Sequence, residues 1–271
     1  YERNRERETW LSPEATAALQ ELGRTRKLTV NTLAGAAWAL MLGRTSRSND
    51  VVFGATVSGR PAALRGAEGM VGLFINTLPV RAQIDEDQPL GEWLAAFQAA
   101  QADARQFEHT PLVQAQAWSE VPRDRPLFDT LMVFENYPTD KALAQQLSPG
   151  GGASLRIAGV KSFEQTNYPL TFVAGGTGSL LLKISYDPAL YDDATVERMT
   201  GHLRTLLEAM PAGMDRPVAA LPMLTADEQQ QILSEWNRPV LDPPTRRVSD
   251  LVVEQVSRTP DAPAAIWDGR D

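Results

Sequence analysis

The chain predicts an α/β fold: a mixed β-sheet packed with helices, followed by a helical, proline-bearing tail. Two observations carry this. Helical patterns alternate with short apolar strands over the first half, and a run of strands closed by one long helix follows. Composition agrees, because 43% hydrophobic and 22% charged residues over 271 positions suit a folded, water-soluble domain.

Each element has its own signal. Ser12-Pro13-Glu14 reads as a helix start, with a capping serine, a proline in the first turn and an acid near the positive dipole end. Ala15, Ala18, Leu19 and Leu22 form its apolar face, and Gly23 is read as its stop. A second helix over residues 30–42 carries Leu33, Ala36, Ala37, Trp38, Leu40 and Met41, apolar nearly all round, which predicts burial on most sides. Asp50 to Val57 reads as a buried strand, and 72–81 as another. A third helix is expected from Pro89 to about Glu108. Strands are expected at Thr130–Glu135, Leu155–Phe163, Leu170–Ala174 and Leu180–Tyr186. Gly175-Gly176-Thr177-Gly178 between the last two is a hairpin signal. It is not a phosphate loop, since a strand follows and no Gly-Lys-Ser/Thr is present. A helix from Asp193 to Met210 ends the run, and Asp192-Asp193 reads as its N-cap rather than an acid/base pair.

Beyond Pro211 the composition shifts. Thr225-Ala226-Asp227-Glu228 is a capping box before a short helix ending near Trp236, with Leu224, Ile232, Leu233 and Trp236 as a docking face. Pro239 to Pro244 is a proline-punctuated linker, and Val248 to Arg258 a last amphipathic helix. The expected division is 1–210, 211–247 and 248–271.

Several function classes are disfavoured. The net charge of −8 argues against nucleic acid and anionic membrane as partners. The absence of cysteine removes thiolate catalysis and zinc–sulfur sites and suits a reducing cytoplasm, the expected location. No apolar run approaches a membrane span, and the charged opening is not a signal peptide. Because the chain begins at Tyr1, it is read as a piece of a longer or processed protein.

The most informative stretch is Met70 to Arg81. It sets Asn76 and Thr77 among Phe74, Ile75, Leu78 and Val80. A polar pair in an apolar strand needs hydrogen-bond partners or a wet cavity, since an unsatisfied buried amide costs about 1–3 kcal/mol. Upstream, Val57-Ser58-Gly59-Arg60-Pro61 is another abrupt polar turn after a buried strand. Further on come Phe107-Glu108-His109-Thr110-Pro111-Leu112, then Arg123 to Pro138 with Phe134-Glu135-Asn136-Tyr137, then Thr166-Asn167-Tyr168-Pro169-Leu170.

In order and spacing, from about Trp10 to Met210, these segments resemble the condensation domains of nonribosomal peptide synthetases. That resemblance implies a chloramphenicol acetyltransferase-like fold, in which two such lobes form a V around a substrate tunnel. It implies amide formation between donor and acceptor units held as 4'-phosphopantetheine thioesters on carrier proteins. The family's His-His-x-x-x-Asp-Gly signature belongs to the first lobe. This chain has only His109 and His202, far apart, so it resembles the second lobe, followed by the junction toward an adenylation domain. The implied partners are the N-terminal lobe, the two carriers and that downstream domain. No catalytic residue, no metal ligand and no resident cofactor is expected here.

Ser58, Arg60, Asn76, Thr77, Asn136 and Tyr168 are the expected tunnel residues. Three have a structural alternative: Arg60 as a surface turn arginine, Asn76 and Thr77 as part of a core strand, with Asn76 a satisfied core amide. His109 and His202 are read as structural. Two other readings remain: a non-catalytic scaffold that docks carrier and adenylation domains, or a sister acyltransferase or epimerisation-type domain. The Phe74-Ile75-Asn76-Thr77 pattern disfavours epimerisation.

Overall fold

The computed structural model describes residues 4–60, 65–66, 69–135, 166–176, 178–238 and 247–265. Contacts divide the chain into two units, Tyr1–Thr225 and Ala226–Asp271. The expected strand at Leu155–Phe163 lies outside the described residues.

The first unit is a mixed six-stranded sheet with helices layered on one face. Its strands are β1 (Arg5–Trp10), β2 (Asp50–Val57), β3 (Asn76–Gln83), β4 (Thr130–Glu135), β5 (Leu170–Gly175) and β6 (Leu181–Tyr186), in the order β1-β6-β5-β4-β2-β3. β2, β4 and β5 are parallel; the other pairings are antiparallel. The helices are α1 (Pro13–Arg26), α2 (Val30–Ser46), α3 (Leu90–Ala104), α4 (Leu112–Trp118) and α5 (Asp193–Gly213).

α2 is the centre of the helical layer. Leu33 through Met41 are all buried, and Trp38 stacks on Phe172 of β5 at 5.2 Å between centroids. No amphipathic stripe is needed, because α1, α3 and α5 flank α2 while the sheet lies beneath it. α5 places Val196, Leu203, Leu206, Leu207 and Met210 in the same core, and Asp192 caps it by accepting from Thr195 N at 2.6 Å.

Several elements differ from the sequence reading: α2 runs on to Ser46, α3 ends at Ala104 rather than near Glu108, and α4 has no counterpart in it. α1 passes through Gly23 to a left-handed cap at Lys27. Gly23 serves instead as a contact point, since a Cβ there would lie 2.7 Å from the Leu28 carbonyl oxygen. β3 begins at Asn76, not at residue 72, because its partner β2 ends at Val57, paired to Asn76. β1 has no counterpart in the sequence reading. Its alternating charges suit an exposed edge strand, and among the described residues β6 supplies its only ladder. α5 runs through Pro211 to Gly213. Past it, Val218 and Leu221 are buried, with their carbonyls held by Arg44 at 2.9 and 2.7 Å.

In the second unit α6 (Ala226–Gln230) continues as a π-turn over Gln231–Glu235, and α7 (Val248–Arg258) follows. Within this unit Ile232, Leu233 and Trp236 are exposed, so they make no core of their own. No described helix is long and apolar enough to cross a membrane.

Candidate functional site

Parallel strands all end on one side, and there the layer of helices leaves a recess. The carboxyl ends of β2 and β4, the first turn of α2 and the segment after α3 surround it. A narrow cavity of about 220 Å³ lies between the sheet and α3, lined by Phe53, Ala55, Leu78, Val80, Met132 and Phe134. It adjoins a wider, more polar recess of about 580 Å³, lined among others by Thr29, Ser58, Glu108 and Gly176. Asn31, Thr56, Val57, Arg105 and Phe134 border both.

The turn after β2 frames the open side of this recess. Gly59 has φ +62°, and a Cβ on it would lie 1.7 Å from the Phe74 carbonyl oxygen, so only glycine fits. Ser58 is exposed, and its hydroxyl lies 3.5 Å from the Arg60 amide nitrogen, which donates to it. Arg60 donates both terminal nitrogens to the Met70 carbonyl at 3.2 Å. Its guanidinium lies 4.3 Å over the Phe74 ring. Arg60 therefore ties the turn to the segment leading into β3.

Asn76 performs a second tie. Cross-strand to Val57, it donates its amide nitrogen to the carbonyls of Glu108 (2.9 Å) and Thr110 (2.8 Å). Both amide hydrogens are thus spent on the Glu108–Thr110 backbone, which follows a 3₁₀ turn at Arg105–Phe107. That pairing fixes one wall of the recess. Thr77 is half-buried and faces Thr56 across the β2–β3 ladder.

Tyr168 is not at this end. It precedes β5, and its ring stacks on Phe128 at 5.4 Å, where burial raises its hydroxyl pKa. Asn136 lies outside the described residues. His109 is exposed in the turn before α4, and His202 is half-buried on α5. Sequence reasoning missed Asn31, Gln101 and Arg105. They come from two separate helices and the turn after one of them, and no spacing in the chain announces their approach.

The family model described as "Condensation domain" matches residues 1–233. A linear gramicidin synthase polypeptide of Brevibacillus parabrevis is 45% identical over 97% of this chain, and chondramide synthase of Chondromyces crocatus 38% over 94%. The chain spans only 3% and 7% of those relatives' lengths. Among solved structures, a four-domain nonribosomal peptide synthetase bound to AMP and glycine matches 94% of this chain, and 20% of that one, with TM-score 0.75 at 19% identity. The first condensation domain of the CDA synthetase matches 82% of this chain and 48% of its own, with TM-score 0.62 at 18% identity. These two structural matches share the chloramphenicol acetyltransferase-like architecture of sheet and helical layer described above. With the family model covering most of its length, the chain belongs to the condensation domain family.

Proposed function

We propose that residues 1–210 are the C-terminal lobe of a condensation domain, 211–247 an interdomain linker, and 248–271 the start of an adenylation domain. The lobe walls a tunnel in which a donor and an acceptor, each a thioester on the 4'-phosphopantetheine of a carrier protein, are joined. The acceptor amine attacks the donor carbonyl. The C–N bond forms, the C–S bond breaks, the thiol stays on the donor carrier, and the amine loses a proton. A thioester needs little activation once the amine is aligned, and orientation alone supplies about 7–11 kcal/mol. This lobe's part is that alignment, with Ser58, Arg60, Asn76 and Thr77 bracing the tunnel edge. The protein then works in the cytoplasm.

One observation carries the reading. On the segment before β3 and on the stretch from the 3₁₀ turn through α4, large apolar side chains face solvent: Val71 at 104% exposure, Leu73 at 89%, Val113 at 78%, Trp118 at 74% and Phe107 at 62%. α4, which carries Val113 and Trp118, lies against β3, and residues 70–75 lead into that same strand. Exposed apolar surface of this extent is characteristic of a binding face, here one for the N-terminal lobe. The match to 48% of a solved condensation domain's length supports a half-domain as well.

The test compares this chain alone with a two-lobe protein containing it, each given loaded donor and acceptor carriers. Dipeptidyl thioester, followed by mass spectrometry, is expected only from the two-lobe protein. Turnover by the chain alone above the uncatalysed background overturns the division of labour. It would leave the chain as a catalyst with a base not yet assigned.

A further inference from the structure

We infer that the narrow cavity between α3 and the sheet is a side-chain pocket, receiving the neutral, apolar side chain of one of the two tethered substrates. This rests on the condensation reading and adds a specificity determinant to it.

The volume sets the first limit. An apolar cavity of about 150 Å³ accommodates benzene, so about 220 Å³ takes an isobutyl or benzyl group with little strain. The walls set the chemistry. Phe53, Leu78, Val80 and Met132 are buried apolar side chains from three adjacent strands, and Ala55 leaves room between them. Alternation along β2 puts Phe53, Ala55 and Val57 on the helix-facing side. The charged groups in the lining are both cationic: Arg81, paired to Asp50 at 2.6 and 2.8 Å, and Arg105, exposed at the rim. Neither favours a protonated side chain.

Among the uncharged polar residues of the lining, Asn31, Thr56 and Gln101, the last stands out. It lines the cavity, and its amide nitrogen is buried with no hydrogen-bond partner among the described residues. Buried donors are nearly always paired. The side chain is only half-buried, so rotation about its own bonds can present the amide to a carbonyl at the cavity mouth. An amino acid carries such a carbonyl at a fixed short distance from its side chain. The mouth adjoins the wider recess through Val57, Arg105 and Phe134, so a tethered arm in the recess can deliver a side chain into the cavity.

The experiment has a binding arm and a rate arm. In the binding arm, isovaleramide is titrated into the 271-residue chain while the Met132 methyl resonance is followed by NMR. A saturable shift is expected, lost in Ala55→Phe, which fills the space, and weakened in Gln101→Leu. No saturable shift in the unmodified chain overturns the pocket.

In the rate arm, the two-lobe protein is given alanyl, valyl, leucyl, phenylalanyl and aspartyl carriers, varied on the donor side and then on the acceptor side. On one side, Ala55→Phe should lower the phenylalanyl-to-alanyl rate ratio by about tenfold or more. A ratio unmoved on both sides, or a preference for aspartyl, overturns the assignment. If the two-lobe protein makes no product while the isovaleramide shift persists, the condensation reading falls and the cavity stands as a binding site.

Discussion

The two ends of this sheet are built on opposite plans. At the amino ends of β2, β4 and β5 the described side chains pack and pair with one another. Phe128 stacks on Tyr168 and covers Gly54, whose Cβ would meet the Phe128 ring at 2.3 Å. Arg44 grips two backbone carbonyls past α5, and Asp193 collects Tyr186, Arg5 and Arg7. At the carboxyl ends the polar side chains are used differently. Arg60 ties the turn after β2 to the segment before β3, Asn76 ties β3 to the Glu108–Thr110 backbone, and Ser58 and Glu108 beside those ties line the recess. At one end the polar groups join strands and helices to one another; at the other they tie the backbone segments beside a recess.

The two forced glycines break this contrast most sharply. Gly59→Ala at the open end adds left-handed strain of about 1–2 kcal/mol. It also forces the Phe74 carbonyl away from a position 1.7 Å from the new methyl group. The turn must move, so condensation by the two-lobe protein should drop by more than about tenfold, a larger loss than the few degrees of melting temperature that this strain implies. Gly54→Ala does the reverse. The Phe128 ring must shift, at a cost of about 1–3 kcal/mol, and the folded fraction should keep its rate. Thermal unfolding and turnover on the same samples decide the matter. Equal stability losses in both variants would erase the distinction between the ends.

Asn76→Ala is the next step down. It removes two hydrogen bonds and leaves the Glu108 and Thr110 carbonyls without that donor, for about 1–3 kcal/mol of stability. If the freed wall relaxes into the recess, rate falls as well. Asn76→Asp separates the causes, since it keeps the shape and reverses the polarity toward two carbonyls. It should be worse than alanine on both measures. A stability loss with unchanged rate in both variants would make Asn76 a packing residue with no part in the cleft.

How far the sequence already shows these two ends depends on how locally each is encoded. α2 is legible because its apolar character is continuous, and β2, β4 and α7 because their runs are bounded by turn residues. β1 is not, since a strand of alternating arginine and glutamate has no apolar period, and it is its pairing with β6 that makes it a strand. The polar pair Asn76-Thr77 correctly marks a place where the apolar pattern yields to hydrogen bonding. What it cannot show is the partner, a backbone segment more than thirty residues on. The cavity is the least legible feature: Asn31, Ala55, Gln101 and Met132 lie on separate elements and meet only through the parallel crossing of β2 and β4. Tyr168, in another of the family segments, packs on Phe128 before β5, apart from the recess at the carboxyl ends of β2 and β4.

The smallest effect, and the finest probe of the closed end, is electrostatic. Asp193 is held below the usual carboxylate range first by the Tyr186 hydroxyl, which donates to it at 2.7 Å, and then by Arg5 at 3.1 Å, with Arg7 adding attraction. The same contact, after burial, raises the Tyr186 pKa. A carboxylate with a lowered folded-state pKa contributes stability that is fully present above its unfolded value. That contribution is lost as pH falls through the folded value. Urea midpoints measured from about pH 6 to about pH 3 should therefore fall more steeply in the parent chain than in Asp193→Asn, with the two curves converging in acid. Because the cluster is solvent-exposed, added salt should flatten the difference. Tyr186→Phe removes the strongest partner, so its curve should lie between the other two. Parallel curves for all three proteins would mean that β1 is held at this corner by its ladder with β6 alone, and that the charges seal nothing.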